Sequence, residues 1–151
     1  MATVLLIVHG LLAVLLLGAI THQVLAGYKS RSAEPGFFSS VLSARGQLYT
    51  KAVVVLFPLV TLLGGIIYLY YRLEVRVPLE AAHHRIAVGA FELKEHFVVL
   101  GLASLPGYWY LWQQPEDSFA RRAVTLFIAL SAWWGFFVGH ILNNLKGFGS
   151  L

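Results

Sequence analysis

The chain has 151 residues, of which 58% are hydrophobic and 12% are charged, and its mean hydropathy is +0.74. This composition excludes an ordinary soluble domain and predicts an integral membrane protein with a single domain, residues 1–151. The absence of cysteine excludes disulfides, iron–sulfur clusters and thiolate metal sites. The formal net charge of +4 comes from basic residues at helix ends, which is typical of membrane-flanking charge and not of nucleic-acid binding.

Four apolar stretches are long enough to cross a bilayer, which requires about 20 residues in a helix. They predict an all-α, four-helix transmembrane bundle with helices at about 3–26, 48–71, 86–112 and 119–145. No basic region precedes the first stretch, so we interpret it as a retained spanning helix and not as a signal peptide. A polar linker, 28–46, follows it.

Proline and glycine predict where these helices deviate from regular geometry. Pro58 and the Gly64-Gly65 pair are expected to bend the second helix, and Pro106 the end of the third. After Pro35 the linker has apolar residues on one face of a possible short helix, which would lie on the membrane surface.

Basic residues in the loops predict the orientation of the chain. Six lie on the side of the linker: Lys29, Arg31, Arg45, Lys51, Arg121 and Arg122. Five lie on the other side, where glutamates partly offset them: Arg72, Arg76, Arg85, Lys94 and Lys146. The positive-inside rule then places both termini outside, and we expect the plasma (inner) membrane of a prokaryote.

Three histidines are predicted to reach a common depth in the outer half of the bundle. At a rise of about 1.5 Å per residue, His9 lies about 9 Å and His140 about 8 Å below the outer surface. The apolar run that follows His96 is short, so the third helix must use the preceding turn to span, which draws His96 into the same leaflet. Ionisable side chains within a membrane are costly and usually mark a site in a bundle interior.

Haem is the cofactor that best suits imidazoles facing one another between membrane helices. Its iron accepts imidazole nitrogen axially, and its apolar macrocycle fits a slot lined by aromatic residues. Trp133 and Phe136 lie one or two turns from His140 and are suited to such a lining. We therefore expect a b-type haem held by two of the three histidines.

Another metal ion is the alternative for the same residues. Glu92 precedes His96 by four residues and shares its helix face, so His9, His96, His140 and Glu92 could hold a mononuclear zinc or iron ion. Polar packing or a proton relay would also account for the histidines, and the helix dipole alone would account for Glu92.

His22 adds a second histidine to the first helix. It lies thirteen residues after His9, about 20 Å along the helix axis. This spacing resembles that of respiratory cytochromes b, in which one helix holds two haems stacked across the bilayer; the resemblance is confined to this spacing. It implies His22 as a further haem ligand, whereas the residue pattern alone favours an interfacial position beside Gln23. His83 and His84 are expected in a solvated loop.

These features predict a membrane electron-transfer subunit without catalytic residues of its own. It would exchange electrons with quinone in the bilayer or with a partner, because so small a chain has almost no extramembrane mass for a second redox centre. We expect it to associate with the lipid bilayer and with other membrane subunits. The alternatives are a cofactor-free structural or assembly subunit of a membrane complex, and a metal-dependent membrane enzyme that uses the histidines and Glu92.

Overall fold

The computed structural model describes residues 2–28, 36, 46–81, 83, 85–116 and 118–148. This part of the chain is helical nearly throughout and contains no strand. In chain order the helices are α1 (Ala2–Gly27), α2 (Gly46–Tyr71), α3 (Val77–Ala81), α4 (Arg85–Ala103), α5 (Leu105–Gln113) and α6 (Phe119–Phe148), and a π-helical segment (Arg72–Arg76) joins α2 to α3. The predicted surface helix after Pro35 lies outside the described residues.

Three helical stretches in the described ranges are long and apolar enough to cross a membrane. They are Thr3–Gly27, Gly46–Glu74 and Phe119–Ile141. The all-helical fold is thus confirmed, and three of the four predicted spans agree with it in length and composition. The third predicted span is divided into α4 and α5, and α4 carries four charged residues between Arg85 and Glu95. The fourth crossing stays a prediction.

The division between α4 and α5 has a local cause in the sequence. Pro106 stands in the first turn of α5 and has no N–H to donate to the preceding turn. The helix is interrupted two residues earlier, at Ser104, whose hydroxyl donates to the carbonyl of Leu100 at 2.8 Å. By contrast, α2 continues as one α-helix through Pro58.

Together, α4 and α5 run antiparallel to α2 along its length. At one end Arg76, just after α2, contacts Glu92 of α4. At the other end Trp112 of α5 lies beside Gly46, where α2 begins: a Cβ atom on that glycine would be 3.7 Å from Cζ3 of Trp112. We call the end of the bundle at Gly46 the linker end and the opposite one the terminal end.

The helices enclose one main core. α1 packs between α2 and α6, α4 packs along α6, and α5 contacts both α2 and α6. The most deeply buried apolar side chains come from α1, α2, α5 and α6: Ile20, Val53, Phe57, Tyr108 and Ile128. Large apolar side chains cover the outside of the bundle, which is the arrangement expected of helices in lipid.

Candidate functional site

His9 is the one histidine of the predicted trio that faces the bundle interior. Its ring lies on α2, where Gly64 makes room for it: a Cβ atom on Gly64 would be 3.3 Å from Cε1 of His9. The carbonyl of Val60, one turn earlier on α2, is within hydrogen-bonding reach of the ring. Nδ1 of His9 is buried and has no hydrogen-bond partner among the described residues.

Lys94 of α4 is the charged residue whose side chain interacts electrostatically with His9. The two side chains are near enough for their charges to interact. Nζ of Lys94 lies 4.0 Å from the centroid of the Phe91 ring, and Tyr68 of α2 stacks on the same ring at 5.6 Å between centroids. Phe91 therefore lies in the terminal half of the interior. The ammonium group of Lys94 packs on its ring, on the side of the bundle where His9 lies.

His96 points away from this interior. It follows Lys94 by two residues, which places it on nearly the opposite face of α4, and its side chain is exposed. Nδ1 of its ring is 2.7 Å from the backbone oxygen of Glu92. Since a carbonyl oxygen only accepts, the contact is a hydrogen bond when Nδ1 is protonated, and in the neutral form of that tautomer Nε2 is the ring nitrogen with a free lone pair.

The carboxylate of Glu92 is held by an arginine and is not directed at a metal. Its Oε1 accepts a hydrogen bond from Nη2 of Arg76 at 3.2 Å, while Nε of Arg76 donates to Glu80 at 2.7 Å. These ion pairs are solvent-exposed and raise the pKa of Arg76, chiefly through the hydrogen bond that Arg76 donates to Glu80. Arg76 thereby fastens the π-helical segment to α4.

His140 lies on a third face of the molecule. Its exposed ring is parallel to that of Phe136, with centroids 6.0 Å apart. Trp133, seven residues earlier on the same side of α6, donates from Nε1 to the hydroxyl of Thr21 at 3.1 Å. His140 therefore stands at the edge of α6 that borders α1, away from α4.

The remaining histidines are separate from these three. His22 stacks on Tyr49 of α2 at the linker end, with ring centroids 3.7 Å apart and planes inclined by 15°. His83 is exposed in the turn before α4 and has a φ of 58°, and His84 lies outside the described residues.

The structure does not bring His9, His96 and His140 to one place. No group of three or more His, Asp or Glu side chains in the described part of the chain is arranged to hold a metal ion. The interface between α4 and α6 is also closed: a Cβ atom on Gly101 would be 2.8 Å from Phe57 and 3.1 Å from Cβ of Ser131. The described residues therefore leave no slot for a porphyrin at this contact, and a haem held by two of the three histidines stays a prediction.

A buried polar cluster at the linker end was not anticipated from the sequence. Nε2 of Gln23 donates to the hydroxyl of Thr50 at 2.6 Å and to the carbonyl of Gly46 at 2.9 Å. The hydroxyl of Tyr108 lies beside both side chains, and like Oε1 of Gln23 it is buried without a hydrogen bond of good geometry to any described residue. The signal in the sequence is a polar residue near the same end of each of three apolar helices: Gln23, Thr50 and Tyr108. The sequence alone predicts only an interfacial position for Gln23, beside His22.

A shallow surface depression, too narrow for a water molecule, lies next to this cluster, between the end of α1 and the beginning of α6. It is lined by Gln23, Gly27, Tyr28, Trp112, Arg121 and Arg122, among others. Trp112 is fixed there by a hydrogen bond from its Nε1 to Thr125, 3.0 Å long.

Comparison with protein-family models, curated proteins and solved structures finds no match to this chain.

Proposed function

We propose that this chain is a membrane subunit of a larger complex and that it carries electrons through a b-type haem to which His96 contributes an axial ligand. The proposal is based on the hydrogen-bonding position of the His96 ring. Nδ1 of this exposed side chain lies 2.7 Å from the backbone oxygen of Glu92, and in the neutral tautomer with a proton on Nδ1 this leaves Nε2 available as a ligand. A backbone acceptor on the other ring nitrogen is the arrangement that orients histidine ligands and fixes their tautomer.

A second ligand for the haem would have to come from another subunit or from a second copy of the chain. This follows because His96 faces away from the interior, whereas His9 and His140 lie on other faces. When bound, the haem would exchange single electrons with quinone in the bilayer or with the partner. The contribution of this chain would be to hold the imidazole of His96 in one tautomer where the chain meets its partner subunit.

The polar face of α4 supports an assembly. Glu92 and His96 are both exposed there, although the surrounding helices have apolar surfaces. Polar groups that face lipid are costly, so such a face is more stable against a partner or at the membrane surface. The proposal includes four crossings, termini outside, and the prokaryotic plasma membrane as location.

A cofactor-free structural or assembly subunit is the second candidate. The observation in its favour is the closed interior, where Gly101 and Gly135 allow α4 to lie directly on α6. Small residues at such contacts serve helix packing in membranes without any cofactor.

A reduced-minus-oxidised absorption spectrum distinguishes the two candidates. The chain is purified from its native membranes in mild detergent with its associated subunits, and we expect a low-spin haem signal. His96→Ala should abolish or convert that signal, because one axial position is lost. His83→Ala, in the exposed turn before α4, is the matched control and should leave the spectrum unchanged.

A colourless preparation that still contains its partner subunits would contradict the haem proposal and support the structural subunit. An unchanged spectrum in His96→Ala would also contradict it, since the proposal assigns the haem ligand of this chain to His96.

A further inference from the structure

Tyr108 of α5 and Gln23 of α1 meet in the core at the linker end, and both side chains are completely buried. The hydroxyl of Tyr108 lies beside the Gln23 side chain. Neither this hydroxyl nor Oε1 of Gln23 has a hydrogen bond of good geometry to any described residue. A buried polar group without a partner loses its hydration and gains nothing in return, so two such groups side by side are strongly favoured to pair.

The chemistry of the two groups is complementary. A phenol hydroxyl can donate, whereas an amide oxygen only accepts. The amide nitrogen of Gln23 is already used, since it donates to the hydroxyl of Thr50 at 2.6 Å and to the carbonyl of Gly46 at 2.9 Å. The hydroxyl of Thr50 in turn donates to Gly46 at 3.0 Å. Oε1 of Gln23 is therefore the acceptor of this cluster that needs a donor, and Tyr108 carries one.

The joint between α4 and α5 allows Tyr108 to move relative to α1. Pro106 stands in the first turn of α5 and has no N–H, so this joint lacks a backbone hydrogen bond that a continuous helix would have. Helices bend most readily at such prolines. Tyr108 follows two residues later, whereas the far end of α5 is held to α6 by the hydrogen bond from Trp112 to Thr125, 3.0 Å long. A small shift of the first turns of α5 is thus available without loss of that bond.

We infer that α5 is a hinged segment and that Tyr108 latches it to the rest of the bundle. In the latched state the Tyr108 hydroxyl donates to Oε1 of Gln23, and one polar cluster then joins α1, α2 and α5 at the linker end. The structure shows α5 close to this position, before the bond is made. The latch is independent of the proposed haem, because it involves neither His96 nor the exposed face of α4.

Tyr108→Phe removes only the hydroxyl oxygen, and the direction of its effect tests the latch. If the hydroxyl pairs with Gln23, the full chain in mild detergent should unfold at a lower temperature, because a buried acceptor loses its donor. If the hydroxyl has no role, its removal should leave the unfolding temperature unchanged or raise it, and either result would overturn the inference. Tyr110→Phe makes the same change at a position of α5 that is 64% exposed, and this control should be neutral.

Hydrogen exchange tests whether the effect is confined to the hinged segment. Tyr108→Phe should speed amide exchange in Leu105–Gln113 several-fold, with little change in α6. Combining it with Gln23→Leu should add little to the effect of Gln23→Leu alone, because both changes remove the same bond. Faster exchange to the same degree in every helix would contradict a hinged segment.

Infrared spectroscopy with ring-labelled tyrosine provides a measurement that does not depend on the Tyr108→Phe variant. The phenol C–O stretching band differs between a hydroxyl that donates and one that does not. In the latched chain, Gln23→Leu should shift the contribution of one donating tyrosine, since Tyr108 loses its acceptor. An identical tyrosine band in the unmodified chain and in Gln23→Leu would overturn the inference.

Discussion

Gly64 of α2 and His9 of α1 fit together across the first helix pair. The imidazole occupies the space that a side chain at Gly64 would need, with Cε1 of His9 only 3.3 Å from the position of an added Cβ atom. Gly65, the next residue, has nothing within 4 Å of the same position. One glycine of the pair is thus required by packing and the other is not.

The first prediction uses this contrast. Gly64→Leu should destabilise the protein by about 1–3 kcal/mol, because it forces the imidazole or the two helices to move. Gly65→Leu adds the same side chain to the same helix on an open surface and should be neutral or stabilising, since leucine is the better helix former. Thermal unfolding in detergent measures both, and equal unfolding temperatures would show that His9 does not lie on Gly64.

The second prediction concerns the buried amide at the linker end. Gln23→Leu removes hydrogen bonds to Thr50 and Gly46. Hydrogen bonds between membrane helices contribute about 0.6 kcal/mol each, so we expect a loss of roughly 1 kcal/mol in the free energy of unfolding. The exposed Gln47 of α2 provides the control: Gln47→Leu should leave stability nearly unchanged. A Gln23→Leu variant as stable as the control would mean that the cluster is not held by these bonds.

The third prediction concerns the fastening of α3. Arg76 is bonded to both Glu80 and Glu92, so Arg76→Gln should speed amide hydrogen exchange in Val77–Ala81 while leaving α2 as protected as before. Hydrogen exchange with mass spectrometry resolves the two segments. Arg72→Gln serves as the neighbouring control, and exchange that is faster to the same degree in both variants would contradict a specific role for Arg76.

The fourth prediction tests the orientation and the number of crossings. The chain has no cysteine, so single substitutions report without background. With the termini outside, Leu73→Cys, whose native side chain is 75% exposed, should react with an impermeant thiol reagent in intact cells. Glu116→Cys, in the turn before α6, should react only after the membrane is opened. The reverse labelling would invert the proposed orientation, and labelling of both from outside would contradict the fourth crossing.

The helices could be predicted because short stretches of the sequence determine where they form and end. Long apolar runs and the break before Pro106 can be read from composition and from the chemistry of proline, and the boundaries of α1, α2 and α6 agree with the predicted ones within three residues. The π-helical segment and α3 were not predicted, because charged residues between Arg72 and Glu80 have the composition of a loop. Their helical form depends on contacts such as that of Arg76 with Glu92.

The directions in which the histidine side chains point could not be predicted in the same way. Depth follows from the rise per residue, but the direction of a side chain depends on how each helix is rotated in the bundle. His9 faces inward because Gly64 leaves room for it, while His96 faces outward because Phe91 and Lys94 occupy the inner face of α4. Such choices are decided by packing between helices that are distant in sequence.

The unbroken helical path from Gly46 through the π-helical segment to Ala81 has a consequence for the shape of the protein outside the membrane. A helical path of this length measures roughly 50 Å, whereas the hydrocarbon layer is about 30 Å thick. With Gly46 at one surface of a bilayer, the excess would extend past the opposite surface. The partly exposed ion pairs of Arg76 would then belong to the part of this path outside the hydrocarbon layer.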